Sequence, residues 1–221
     1  MISIIDVTDA VSLLLRDEDL ERWTKDEITL WCNMAQREIC NLQPQACART
    51  EVVQLAPGVR QQVPSGATLV VDIHRYMGTD GVTDGLAITK TIKGVMDRLV
   101  PDWPTAAPDP APTHWMYDPE RDPQVFYVYP PQPNAGCGYV EMTYAMPPED
   151  ASDANGLMLS IDKKYLPAVA NYVLYRALSK DSEYGDYLNR AAMAYETFLG
   201  ILGASSVHAA KTTVQRTPDE E

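Results

Sequence analysis

Between Leu166 and Leu202 two apolar stripes run in tandem, and a fold that leaves either one in water is not stable. Leu166, Val169, Ala170, Val173, Leu174, Ala177 and Leu178 recur three and four residues apart, the spacing of one helical face. Leu188, Ala191, Ala192, Tyr195, Phe198, Leu199 and Leu202 repeat the pattern. Ser179, Lys180, Asp181 and Ser182 between them are polar and few, so the two helices are predicted to turn back as an antiparallel hairpin. Such a hairpin has more apolar surface than it can hide by itself. The comparable helix that can cover it lies far upstream, and this separation shapes the whole reading.

That upstream helix carries the clearest start signal in the chain. Thr24-Lys25-Asp26-Glu27 is a capping box, with Trp23 and Ile28 placed to staple its entry. Ile28, Trp31, Cys32, Ala35, Ile39 and Leu42 then form one stripe, and Pro44 ends it, because the residue before a proline resists helical geometry. A shorter helix through Ala10, Val11, Leu13, Leu14 and Leu15 is predicted ahead of it, capped within Asp6-Val7-Thr8-Asp9.

From Thr50 the pattern changes to short strands punctuated by turns. Residues 51–55, 68–73 and 87–89 read as strands and residues 61–66 as a short strand and turn, with further turns at Pro57-Gly58, Gly78–Gly81 and Thr83–Gly85. Residues 92–100 fit a single helical turn, and residues 105–113, with Pro108, Pro110 and Pro112, fit an extended surface run. His114–Tyr117 and Val125–Tyr129 flank a proline-bounded turn and make a hairpin. Pro130, Pro131 and Pro133 break the chain, and residues 138–144 form a last strand.

The predicted fold is therefore α+β: an antiparallel helical bundle formed by the N- and C-terminal helices, with a small antiparallel β-sheet domain inserted. Its divisions are residues 1–49, 50–156 (the insertion), 157–203 and an extended tail over 204–221. The expected bundle core is Ile28, Trp31, Ala35, Ile39, Val169, Val173, Ala177, Ala191, Tyr195 and Phe198.

Charge narrows the function. A formal charge of -13 argues against tight reading of nucleic acid, which needs clustered Lys and Arg, and against docking on an anionic membrane. The start of the chain, with Asp6 and no early Lys or Arg, is unlike a secretion signal, and no run approaches the roughly 20 apolar residues of a spanning helix. Cys32, Cys40, Cys47 and Cys137 lack zinc spacing and read as reduced thiols.

Catalytic patterns are missing. His74, His114 and His208 fall in separate regions without a nucleophile elbow, and there is no phosphate-cradling glycine loop. The repeated Thr-Asp-Gly at 79–81 and 83–85 reads as two turns, since a calcium loop would need alternating ligands and a closing Glu. A small metal-dependent hydrolase built on Asp80, Asp84 and His74 is the enzymatic alternative; the residues favour no catalytic, cofactor or metal site. The tyrosines say more. Tyr117, Tyr127, Tyr129, Tyr139 and Tyr144 cluster among prolines in the insertion, where they either fill a small core or, by strand alternation, face outward as an interface.

An ordered set of segments resembles the head-to-tail adaptor (portal-associated connector) proteins of tailed bacteriophages. It runs from Arg22-Trp23-Thr24 and Asn33–Ile39 through Gly58–Gln61, Pro64-Ser65-Gly66, Val71-Asp72-Ile73, Met77-Gly78 and Pro101-Asp102-Trp103. It is most pronounced over residues 118–131 and 172–181. The resemblance implies a non-enzymatic structural virion protein in the neck between capsid and tail, assembled in the host cytoplasm, with no cofactor. Its expected partners are further copies of itself in a ring of about twelve, the portal, a tail tube or nozzle protein, and DNA crossing the lumen without sequence-specific contact. It implies that the C-terminal tail, with Val207, His208, Lys211, Val214 and Arg216, docks on the portal while the tyrosine-bearing sheet faces the tail. Another neck or tail-completion protein is the alternative within the same class.

Overall fold

The computed structural model describes residues 1–180 and 185–214, and none of its helices is long and apolar enough to cross a membrane. The chain is mixed α+β and divides into two compact units, one of residues 1–46 with 148–221 and one of residues 47–147.

Among the described residues, the first unit holds four of the five α-helices. α1 (Ile4–Leu15) starts earlier than the acidic cluster suggests, because the Ser3 hydroxyl caps it by accepting the Ile5 amide, and Ile4, Val7 and Val11 fall on its buried face. α2 (Lys25–Leu42) keeps the capping box: Thr24 accepts the Glu27 amide while Glu27 reaches back to the Thr24 amide. α4 (Leu166–Lys180) touches α1, α2 and α5 (Gly185–Val214). Trp23, fully enclosed beside the cap, donates its indole N–H to the Ala177 carbonyl on α4. A two-residue strand pair, β1 (Ile2–Ser3) with β9 (Met158–Leu159), ties the start of the unit to its return segment.

Nine of the ten expected core residues, all except Tyr195, are buried, and Tyr195 is half-buried. The α5 face, however, is rotated from the predicted one. Ala191, Ala194, Phe198 and Leu202 are the buried set, whereas Leu188 is 51% and Leu199 is 41% exposed. Both stripes have helical spacing, and the shape of α4 selects one. Tyr172 and Tyr195 meet the Phe198 ring at 5.3 and 5.8 Å between centroids. Helix α5 also continues to Val214, where an extended tail from residue 204 was expected. After Gly203 no Gly or Pro interrupts it and the run is rich in Ala, so propagation meets little resistance. Asp181 and Ser182 of the predicted turn, and Arg216, lie outside the described residues.

Three buried amides fasten irregular segments to the helices. Asn33 on α2 exchanges hydrogen bonds with both backbone groups of Ala151, and Gln36 donates to the Glu149 carbonyl while accepting the Ser160 amide. Gln43 donates to the Leu202 carbonyl and accepts the Tyr165 hydroxyl. Asn33 and Gln36 satisfy backbone groups of the irregular segment 149–160, whereas Gln43 ties the end of α2 to the α5 backbone and to Tyr165.

The second unit contains two sheets where a single antiparallel one was predicted. β2 (Ala48–Gln54), β8 (Tyr139–Ala145) and β4 (Leu69–Tyr76) form an antiparallel sheet in the order β2-β8-β4. β3 (Gly58–Gln62), β7 (Val125–Gln132), β6 (His114–Tyr117) and β5 (Thr89–Thr91) form the other in the order β3-β7-β6-β5. The predicted hairpin is present as β6 and β7. Val70, Ile73, Val140 and Met142 of one sheet and Trp115, Phe126 and Val128 of the other share one apolar cluster. A single sheet with that many inward apolar positions leaves one face wet, and two sheets cover each other.

β5 pairs parallel to β6, against the all-antiparallel expectation. A parallel pair needs a long crossover, and residues 92–113 supply it with α3 (Lys93–Leu99) and the proline run. β7 continues through Pro130 and Pro131, which were expected to end it. A proline lacks only the N–H, and β6 has already ended opposite Tyr129; the Pro131 carbonyl still accepts the Asp109 amide. Gly138 is fixed by close approach: a Cβ there would sit 2.1 Å from the Pro110 carbonyl oxygen.

Candidate assembly interface

Of the five tyrosines expected at an interface in the sheet unit, one is buried and four are half-buried. Alternation along β8 places Val140, Met142 and Tyr144 on the buried face. Tyr144 is only 5% exposed and donates its hydroxyl to the Glu51 carboxylate at 2.5 Å, so it belongs to the core rather than to an outward surface. Burial, then the Glu51 acceptor and its charge, push the Tyr144 phenol up to about 12. The sign follows from a folded pKa above the unfolded one. The contribution is intact below the ordinary tyrosine range and fades as pH rises from about 10 to about 12. Tyr144→Phe is expected to flatten the loss of stability in that window, read by thermal melts at stepped alkaline pH. An unchanged alkaline slope would remove Tyr144 as its source.

Tyr117 is half-buried and stitches strands together. Its hydroxyl donates to the Pro123 carbonyl at 2.9 Å and accepts the Val70 amide at 3.3 Å, while its ring stacks on Trp115. Tyr127, Tyr129 and Tyr139 are also half-buried. Tyr127 meets Trp103 edge-on at 6.0 Å, and the Lys93 ammonium lies 5.1 Å from its centroid. Tyr129 packs beside His114.

Tyr117 and Tyr127 share a cleft of about 750 Å³ between the β5–α3 junction and the β6–β7 turn. Lys90, Lys93 and Arg121 line it together with Asp97, Asp118, Glu120 and Asp122. Mixed charge of this kind selects neither an anion nor a cation. Its lining contains no His, Cys or Ser. The wall thus carries two tyrosine rings among seven charged side chains.

The alternative trio does not converge. His74 faces the Thr143 hydroxyl at 2.7 Å and the Asp72 carboxylate at 3.5 Å. Asp80 turns onto its own loop, accepting the Val82 and Thr83 amides and the Thr83 hydroxyl, and these bonds hold its carboxyl down to about 2. Asp84 lies 3.9 Å from Arg75. Among the described residues no three His, Cys, Asp or Glu side chains gather as a metal-binding group. Cys32, enclosed on α2, has its thiol pushed up to about 12 by burial, the reverse of a reactive cysteine.

The helical unit presents its own surface, which sequence periodicity missed. Leu14, Leu174, Leu178, Arg190, Met193 and Ala194 line a groove of about 220 Å³ formed by α1, α4 and α5. Leu14 and Met193 in its lining are each more than half exposed, as is Leu13 next to Leu14 in the chain. The available signal was the doublet Leu13-Leu14, which exceeds what one buried face of α1 can absorb. Val207, His208, Lys211 and Val214 lie on the last turns of α5.

A family model described as SU10 adaptor protein matches residues 2–218. No curated protein matches the sequence.

Proposed function

The chain belongs to the SU10 adaptor protein family, and from that premise we propose that it is a structural virion protein that joins the portal to the tail. The single observation that carries this reading is the extent of the family match, which takes in both the helical unit and the inserted sheets. Copies of the chain assemble as a ring of about twelve around the axis of the particle, because head-to-tail contacts close only under cyclic symmetry. The ring occupies the neck and continues the channel through which genomic DNA passes.

Each unit has a role in this reading. The N- and C-terminal helices form an antiparallel bundle, and the apolar groove at Leu14 and Met193 is covered by a neighbouring copy, which makes the bundle the wall. The sheet unit, with Tyr127, Tyr129 and Tyr139 and the mixed-charge cleft, faces the tail tube or nozzle. The end of α5 and the residues after it reach the portal through Val207, His208, Lys211, Val214 and Arg216. A net charge of -13 per copy gives the lumen a repulsive lining, which lowers friction on DNA without holding it.

The test is assembly on isolated portal. The full chain is expected to form a multi-copy complex by native mass measurement, and deletion of residues 207–221 is expected to leave the fold intact while weakening that complex by about tenfold or more, the usual scale of losing one docking segment. A chain that stays monomeric in the presence of portal would overturn the adaptor role. Undiminished attachment of the truncated chain would overturn the docking role of the C-terminal segment.

A further inference from the structure

We propose that β2 pairs antiparallel with β2 of a second copy of this chain, in the register that places Thr50 opposite Thr50 and Arg49 opposite Glu51. This goes beyond the adaptor reading, because such a pair is two-fold and closes on itself. It is a form of the free chain and adds no link to a cyclic ring.

The first ground is the state of the strand edges. A sheet edge is a row of unpaired backbone groups, and proteins normally blunt it with a bulge, a proline, short length, charged side chains or a covering segment. Three of the four outer edges in this unit are blunted. β3 carries a register shift between Gly58 and Arg60, and β5 has three residues. Leu86, Ala87 and Ile88 cover β4 through bonds to Tyr76 and His74 and a bridge to Arg75. Among the described residues β2 has no bulge, proline or covering segment, and its two charges, Arg49 and Glu51, are of opposite sign. It runs seven residues in unbroken register with β8, without proline, and is exposed over most of its length.

The second ground is which groups point outward. The Met146 amide donates to the Cys47 carbonyl and the Leu55 amide to the Gly138 carbonyl, so the odd-numbered residues of β2 bond to β8. Ala48, Thr50, Val52 and Gln54 therefore turn their N–H and C=O groups away from it. Among the described residues these outward groups have no backbone partner.

The third ground, charge complementarity, chooses the occupant. An antiparallel copy centred on Thr50 pairs Ala48 with Val52 and sets Arg49 of each chain against Glu51 of the other. These odd-numbered positions form the closer, non-hydrogen-bonded pairs. Centring on Glu51 places two carboxylates face to face, and centring on Val52 leaves both charges opposite apolar residues. The strand thus specifies one register with itself. Glu51 uses Oε2 for the Tyr144 hydroxyl, so Oε1 remains for the arriving guanidinium.

Sedimentation equilibrium of the full chain, with no other virion protein present, tests the pairing. The wild-type chain is expected to form a dimer. Glu51→Arg, which replaces two attractive cross-strand pairs by two repulsive ones, is expected to weaken it about thirtyfold, and Arg49→Glu with Glu51→Arg to restore it. Val52→Pro removes an outward N–H without touching the odd-numbered bonds to β8, so it gives a reading independent of the Glu51–Tyr144 contact. It is expected to abolish the dimer. A wild-type chain that is monomeric at every concentration overturns the proposal, as does an oligomer indifferent to Glu51→Arg and Val52→Pro. Loss with Val52→Pro but no restoration by the charge exchange overturns the register.

Discussion

Replacing Phe198 with alanine is expected to lower unfolding stability by about 4 kcal/mol, the middle of the range for truncating a buried phenylalanine. The side chain is fully enclosed, and the rings of Tyr172 and Tyr195 close on it from α4 and from the preceding turn of α5. Those rings belong to ordered helices and cannot collapse far into the space left behind, so the cavity adds to the lost transfer free energy. Leu199→Ala, one position along, is the internal control. Its side chain is half in water, and its removal is expected to cost about 1 kcal/mol or less. Urea titrations followed by circular dichroism read both. Equal midpoints for the two variants would mean that α5 packs through the other stripe, contrary to the buried set described above.

Asn33→Leu is expected to cost about 3 kcal/mol, although leucine is the more apolar residue and the site is buried. The reason is what remains behind. The Asn33 side chain donates to the Ala151 carbonyl at 3.2 Å and accepts the Ala151 amide at 2.8 Å, and Ala151 is itself buried. Leucine strands both backbone groups and also removes an acceptor for the Gln36 amide. Amide hydrogen exchange adds a local reading, with the Ala151 N–H protected in the wild type and released in the variant. A variant that unfolds at the wild-type denaturant concentration, with Ala151 still protected, would show that this segment is held by something else.

These two residues mark where sequence reading succeeds and where it stops. Phe198 was legible because a helical stripe announces burial by spacing alone. The same holds for the α2 stripe from Ile28 to Ile39, the Thr24–Glu27 capping box and the β6–β7 hairpin, whose determinants lie within a few residues of one another. Asn33, Gln36 and Gln43 were not legible. A buried amide is useful for its partners, and Ala151, Glu149 and Leu202 are remote from it in the chain. Tyr144 shows the intermediate case, since alternation says that every second residue is buried but not which set. That choice fell to the facing sheet.

From its own order of residues, then, this chain determined where α2 begins and ends, that its middle is built of strands, and that helices from its two ends need each other. Those outcomes depend on local sterics and on apolar periodicity, which are properties of neighbouring residues. Tertiary structure alone decided which α5 stripe is buried, that the strands divide into two sheets with one parallel pair, and that the β2 edge is left without a backbone partner among the described residues. Each of these depends on which surface arrives opposite, and a linear pattern leaves that free because packing discriminates between faces of similar apolarity only by shape.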